Sequence, residues 1–544
     1  MSPAGERDGA RWRPELLAAV LGGLLLFAVS LVPYLVAQAN APAGRTFNGF
    51  FFIADDAATY ISKMREGADG AWAWRDPYIS QPLPHPVALF LFYVLWGKVA
   101  GLLHVSMYVG YHLARLSGAI ALVGAARLLA RTCLPPGRPR RVAVVLALGG
   151  SGLGWFLQLA AAFSGSHVLA GQRLEALELH LPELSGFYSI TAIPHFAWAA
   201  ALMAFALVAL MHITDGLEPA RWLAVAVASM LALCLIHPQM LFVLGPLAIT
   251  HLVAGRRGAH ALALVAAPFL VCLPVLLYFL RILTSDEVVA AWSREWRHQA
   301  PDPLGLVFGL GVPLAFAVVT MVRWRRAGPG LRLMTAWLLL VFLVLYLPNP
   351  VNIQRRLMDG IYLPVAMLAA AGLEHFIAWR AGRPRGWFRA PGPLALGAVG
   401  VSMVMSVLVW GTAMTAALAR EPIIYTDSAA MAAMEWLSGQ RGAGLAPAVL
   451  SHPSTGLFIP ARSGLRVYVG HYSETIDYQR KARVAFEAFR AGPYAVAALA
   501  RDQHTDLIFV GPLEQAVAGT AVIDEIPGAV RVYDRGGVRI YRLR

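Results

Sequence analysis

Charge is what this chain has least of. Only 14% of its 544 residues are charged and 58% are hydrophobic, a composition that rules out an ordinary water-soluble globule. Cysteine is also scarce. Cys133, Cys234 and Cys272 lie in or beside apolar runs, with no CxxC pair and no histidine at metal-ligand spacing, so disulfides outside the membrane are excluded. The polar tail has neither a GxGxxG nor a P-loop run, so no nucleotide site is indicated. No internal repeat is visible.

Long apolar segments are abundant. A bilayer core of about 30 Å needs roughly 20 apolar residues per crossing helix. Segments near that length lie at 16–37, 107–130, 142–163, 191–213, 222–236, 239–254, 261–281, 304–322, 333–347, 361–379 and 394–416, giving a polytopic α-helical membrane protein with about eleven crossings. The net charge of +14 then reads as topology signals and contacts with anionic head groups, and not as nucleic-acid binding.

Sidedness follows from the arginines. Arg7, Arg11 and Arg13 hold the start of the first segment in the cytoplasm, and with no small-residue cleavage site after it that segment reads as an uncleaved anchor. The apolar piece 86–103 contains Lys98 and is entered through Pro82, Pro84 and Pro86. If it crossed, the cluster from Arg127 to Arg141 would fall outside, against the positive-inside rule. It is therefore expected to be an interfacial helix of a first external loop, about residues 38–106. The later Arg-rich turns at 256–257, 323–332 and 380–389 then all fall inside. Residues 1–420 form the expected membrane domain and 421–544 an external one. In the latter, β-rich runs at 448–450, 466–469, 507–510, 530–533 and 538–541 alternate with amphipathic helical stretches at 428–438 and 478–490, predicting a small α/β domain.

The first loop carries the main candidates for chemistry. Residues 48–86, NGFFFIADDAATYISKMREGADGAWAWRDPYISQPLPHP, set Asp55 and Asp56 just after an apolar run at an interface, where ionisable groups are costly and tend to be functional. Adjacent helical residues point about 100° apart, so one acid faces a cavity while the other caps a helix starting near Ala57. Tyr60 and Lys63 follow on the same helical run and are expected, with His85, His195 and His237, to line the substrate cavity. Arg355 and Arg356 break the positive-inside pattern on the outer face, and a guanidinium suits a phosphate; a snorkelling Arg at a span end is the equal alternative. His85, His195 and His237 each stand beside a proline at an outer segment end, without zinc spacing. Glu175, Glu178 and Glu183 lie in the loop 164–190, the first two at i, i+3 spacing; a solvated surface helix is the expectation, and a second catalytic acid or a metal ligand the alternative. Asp286, Glu287, Arg294, Glu295 and Arg297 make a charged external loop, with Trp292 and Trp296 as interfacial anchors.

An acidic pair in the first external loop, an interfacial helix entered through His85-Pro86, many spans and an external α/β tail together resemble the GT-C superfamily of integral membrane glycosyltransferases, among them the protein O-mannosyltransferases and lipid A aminoarabinose transferases. The matching positions are Asp55 and Asp56 in IADDAATYISKM, His85-Pro86, Pro194-His195 and Arg355-Arg356. Asp-Asp stands where O-mannosyltransferases have Asp-Glu. The resemblance implies transfer of a sugar from a polyprenyl-phosphate donor to a glycan, lipid or protein acceptor at the outer face of an inner membrane, with Asp55 or Asp56 as the essential carboxylate. The chemistry asks for a base toward the acceptor hydroxyl. It also asks for positive charge on the departing phosphate, from Arg355, Arg356 or a divalent ion such as magnesium or manganese. A flippase or transporter for lipid-linked glycans, and a non-catalytic envelope assembly protein, are the alternatives.

Overall fold

The computed structural model describes residues 3–81, 86–164, 168–169, 172–173, 175–286, 288–291, 299–348, 353–381, 391–442, 446–521 and 523–544. Among them, eight helices are long and apolar enough to cross a membrane: Arg13–Ala39, Met107–Cys133, Pro194–Thr214, Ala259–Ser285, Pro303–Val322, Pro329–Tyr346, Tyr362–Arg380 and Gly392–Ala419. Several begin with proline in the first turn, where its missing N–H leaves no bond unmade. The pair Arg138–Gly149 and Gly154–Ser164, bent by 49°, makes a ninth if taken as one span. The other two expected crossings are helical but short: Pro219–Cys234 has 16 residues and Leu241–Ala254 has 14. Both fall below the roughly 20 residues a bilayer core requires.

The chain divides into two compact units. The first comprises Met1–Val32, Leu113–Leu280 and Arg297–Ala413. Its centre is Pro194–Thr214, buried along nearly its whole length and rich in alanine, which lets neighbouring backbones approach closely. The same device recurs where Pro303–Val322 meets Tyr362–Ala381: a Cβ on Gly372 would lie 1.9 Å from the Phe316 carbonyl oxygen. The break between Arg138–Gly149 and Gly154–Ser164 meets a second irregularity, a kink at Gly311 with φ 46°. Broken backbone at membrane depth persists only where its polar groups find partners in the protein. Here Ser151 N–H donates to Ser402 O (2.7 Å), Leu153 N–H to Phe308 O (2.7 Å) and Gly154 N–H to the Glu178 carboxylate (3.0 Å).

The second unit comprises Pro33–His112, Arg281–Trp296 and Met414–Arg544, so the first loop and the tail fold in one body. Strand Arg45–Phe47 pairs antiparallel with Tyr425–Asp427. Helix Ala54–Ala68 packs on the 12-residue helix Leu91–Leu102, too short to cross. Glycine permits their contact, since a Cβ on Gly97 would lie 1.8 Å from Met64 O and one on Gly67 2.1 Å from Val94 O. All five β-rich runs of the tail form one sheet. Its order is Arg466–Val467, Ala448–Leu450, Leu507–Val510, Val538–Leu543, Ala529–Arg535; the first three are parallel and the last two antiparallel to their neighbours.

Candidate functional site

Asp55 and Asp56 both lie inside the first turn of helix Ala54–Ala68. Neither caps it: the N-cap is Ile53, held at φ 48°, ψ 46° with no side-chain capping bond. The expected division into one capping and one cavity-facing acid is therefore overturned. A β-branched residue in the left-handed region costs on the order of 1–2 kcal/mol, and at Ile53 that strain starts the helix early enough to carry both carboxylates in its first turn. There the positive end of the helix dipole favours negative charge.

The two acids differ in surroundings. Asp56 Oδ1 lies 3.1 Å from Nε2 of His471, in the tail. The imidazole tautomer follows from its other nitrogen. Nδ1 accepts from Ser473 N–H (3.3 Å) and Glu474 N–H (3.3 Å), so the ring proton sits on Nε2 and is donated to Asp56. Among the described residues no hydrogen bond of this kind holds the Asp55 carboxylate; burial pushes its carboxyl above the ordinary aspartate value, the imidazole of His471 pulls it back and Asp56 pushes it up again.

A second bond ties the same loop to the same helix. Lys63 Nζ lies 2.5 Å from Glu474 Oε1 with both side chains buried, and also donates to Thr59 Oγ1 at 3.1 Å. Residues 56 and 63 are seven apart, two turns along one helix face, so His471 and Glu474 grip that face at two points. Lys63 also stands over the Phe90 ring at 4.1 Å, and Tyr60 stacks on Tyr93 at 4.0 Å. Tyr60 and Lys63, expected to line the substrate cavity, belong instead to this packed interior and are not part of the wall around the acids. Asp76 is buried nearby, its carboxyl driven well above the usual range by burial first and by Glu474 second.

The wall itself encloses a cavity of about 690 Å³. Asp55, Asp56, Phe50 and Phe51 form one side, and Ser454, Thr455, Phe458, Tyr472 and Leu513 another. These latter residues follow the carboxyl ends of the three parallel strands, the crevice where open α/β sheets generally bind ligands. Glu514 staples two of these strand-end loops, accepting from His452 N–H (2.8 Å) and Gly511 N–H (2.9 Å).

The first unit holds a separate polar cluster. Glu183 Oε1 lies 3.6 Å from Arg355 Nε and 3.6 Å from Arg356 Nη1; Glu183 is buried, which raises its pKa while the two arginines lower it. His237 pairs with buried Asp359, the rings of His195 and His237 are 5.0 Å apart, and Arg356 lies over Phe196 at 5.4 Å. His195, His237, Arg355 and Arg356 thus lie in one cluster, joined by two acids, Glu183 and Asp359. The solvated surface helix expected for the glutamates is corrected. Glu178 and Glu183 lie instead in two short 3₁₀ turns, Leu177–Leu179 and Pro182–Leu184, which bury Glu178 at the helix break and Glu183 between the arginines; of the three, Glu175 alone is exposed. His85, Glu287, Trp292, Arg294, Glu295, Trp296 and Arg297 lie outside the described residues, whereas Asp286 accepts from Val288 and Val289 N–H.

Among the described residues no three His, Cys, Asp or Glu side chains gather as a metal ion would require, so the Asp55–Asp56–His471 set does not by itself fit a divalent ion. Sequence reasoning missed His471, Glu474 and Asp359. His471 carried a usable signal, a polar residue just past a β-rich run in a parallel α/β domain.

No family model matches the sequence, and none of the curated proteins matches it. Solved structures do match in fold. The oligosaccharyltransferase of Archaeoglobus fulgidus in complex with Zn and sulfate superposes with TM-score 0.55 at 14% identity, over 94% of this chain and 73% of that one. ArnT from Cupriavidus metallidurans bound to undecaprenyl phosphate gives 0.51 at 13%, over 95% and 97%. The arabinofuranosyltransferase AftD from Mycobacteria gives 0.52 at 16%, over 95% and 40%.

Proposed function

We propose that this chain, which has the GT-C fold of integral membrane glycosyltransferases, transfers a sugar from a polyprenyl-phosphate donor to an acceptor hydroxyl at the outer face of the membrane. One observation carries the reading: a crevice in which adjacent aspartates of the first loop face the strand ends of the tail's α/β sheet. A sugar on a lipid phosphate is already activated, so the protein must supply a base and charge for the leaving group. Asp55 takes the acceptor proton, a task helped by a pKa raised toward working pH. The acceptor oxygen then bonds to the anomeric carbon as the carbon–phosphate oxygen bond breaks, and the phosphate departs with the electron pair. Asp56, held by the His471 N–H, steadies positive charge developing on the sugar.

Arg355 and Arg356 are assigned to the phosphate of the lipid, in keeping with guanidinium geometry. A related fold bound to undecaprenyl phosphate supports a lipid donor of this kind. The acceptor side is assigned to Ser454, Thr455 and Tyr472 at the strand ends. Inversion by one displacement is expected, because Asp56 is committed to His471 and Asp55 acts as base. The membrane is read as an inner membrane with the N-terminus cytoplasmic and the tail outside.

One feature favours a transporter, the facing helix breaks near Gly152 and Gly311. Transporters leave unwound backbone for substrate, whereas here the freed N–H groups of Ser151, Leu153 and Gly154 are spent on Ser402, Phe308 and Glu178. The test is incubation of membranes holding the full chain with labelled polyprenyl-phosphate sugars. Transfer with an inverted anomeric centre supports the proposal. Donor movement across the bilayer without any glycosylated product supports the transporter, and a retained anomer refutes the single displacement.

A further inference from the structure

A cavity of about 650 Å³ lies in the first unit, where the helices ending at Thr214, Ala254 and Val322 and the helix starting at Pro329 come to one level. By the positive-inside rule this is the cytoplasmic end. Its walls change character with depth. Val318, Met321, Ala336 and Leu339 make an apolar lower part, with Val318 and Leu339 half open to the side, where acyl chains run. Arg257 and Arg332 stand at the rim.

The rim charges are held in place. Arg332 donates through Nε to Ala327 O (2.8 Å) and through Nη2 to Arg325 O (3.1 Å), and among the described residues no carboxylate lies within ion-pair distance of it. Arg257 is steadied by Asp215 at 2.6 Å, and His251 adds an imidazole whose Nε2 is 3.9 Å from the same carboxylate. The hydroxyls that reach the cavity are not donors to it, because Thr250 and Thr335 bond back to their own helices. Trp324, half exposed beside the rim, suits the head-group level. An apolar slot open toward lipid below two fixed guanidiniums matches a molecule with two hydrocarbon chains and a negative head group. A free anion would leave the slot unfilled.

We propose that this cavity is a binding site for a glycerophospholipid with a net-anionic head group, drawn from the cytoplasmic leaflet, with phosphate on Arg257 and Arg332 and one acyl chain along Val318 and Leu339. It is independent of the sugar-transfer site. A basic side chain near the surface contributes about 1 kcal/mol to anionic-lipid attraction, and with Arg257 paired to Asp215 the rim carries one net positive charge, which gives a preference of about fivefold over a zwitterionic lipid.

Native mass spectrometry of the purified full-length protein tests this, with phosphatidylglycerol, phosphatidylcholine, glycerol 3-phosphate and inorganic phosphate as separate probes. The expected result is retention of phosphatidylglycerol at least about fivefold tighter than phosphatidylcholine, weakening with salt, with neither soluble phosphate competing at equal concentration. The double variant R257Q/R332Q should lose that preference. Because Arg332 also braces its loop, Leu339→Trp provides a second arm: it narrows the apolar slot, leaves both arginines in place and should lower retention as well. Equal retention of both lipids, unchanged retention in both variants, or full competition by a soluble phosphate overturns the proposal.

Discussion

His471 donates Nε2–H to Oδ1 of Asp56 at 3.1 Å, while its Nδ1 is committed to N–H groups of its own loop. The imidazole therefore has one orientation and one tautomer available, and the carboxylate it meets is oriented in turn. Replacing His471 with Ala should lower kcat by about 10²-fold, within the range for a displaced acid–base group. It should also move the acidic limb of the pH–rate profile upward, because the imidazole is what pulls Asp55 down. His471→Gln, which keeps an N–H donor, should recover part of the rate. Initial rates across pH for the three proteins check this; a rate loss with an unmoved profile would mark a merely structural role.

Lys63 and Glu474 form a buried pair that fixes the loop carrying His471. Removing one partner strands a charge away from water. Lys63→Met should destabilise by about 3–5 kcal/mol, and adding Glu474→Gln should restore much of it. Thermal unfolding in detergent gives the comparison, with a double variant no better than the single one contradicting the pairing.

Glu66 is a half-buried acid whose pKa burial pushes up to about 7. In the unfolded chain it titrates near 4.5. The folded state thus binds the proton more tightly, and stability from this group is complete below the unfolded value and lost as pH rises through about 7. Glu66→Gln should leave the melting midpoint unchanged near pH 4 and raise it by about 2–4 °C at pH 8. Equal shifts at the two pH values would assign the effect to packing.

Glu183 sits between Arg355 and Arg356, so under the proposed donor assignment the lipid phosphate shares these arginines with it. Glu183→Gln should destabilise the protein by about 3 kcal/mol for want of a counter-charge, and polyprenyl phosphate should then stabilise the variant more than it stabilises the wild type. Melting curves with and without the lipid measure this. A smaller lipid-induced shift in the variant would remove the arginines from donor binding.

Local pattern made much of this molecule legible. The five strands of the tail fall on the five β-rich runs, since short alternating runs between turn residues leave little choice. Every expected apolar segment is helical, yet the break at Gly150 to Leu153 stayed hidden, because hydropathy does not register which N–H groups a distant Glu178 or Ser402 will satisfy. The aspartates stood out by position. Their partner did not: His471 is 415 residues from Asp56, and only the folded second unit brings them together. Glu183 reads as a surface acid in sequence, because nothing local announces that Arg355 and Arg356, far along the chain, will enclose it.

Single-turnover transfer from a labelled polyprenyl-phosphate sugar, comparing wild type with Asp55→Asn and Asp56→Asn at equal amounts of folded protein, tests the central claim most directly. Both variants should bind donor normally; the first should transfer at least about 10³-fold more slowly and the second at least about 10²-fold. Full-rate transfer by both would contradict the account.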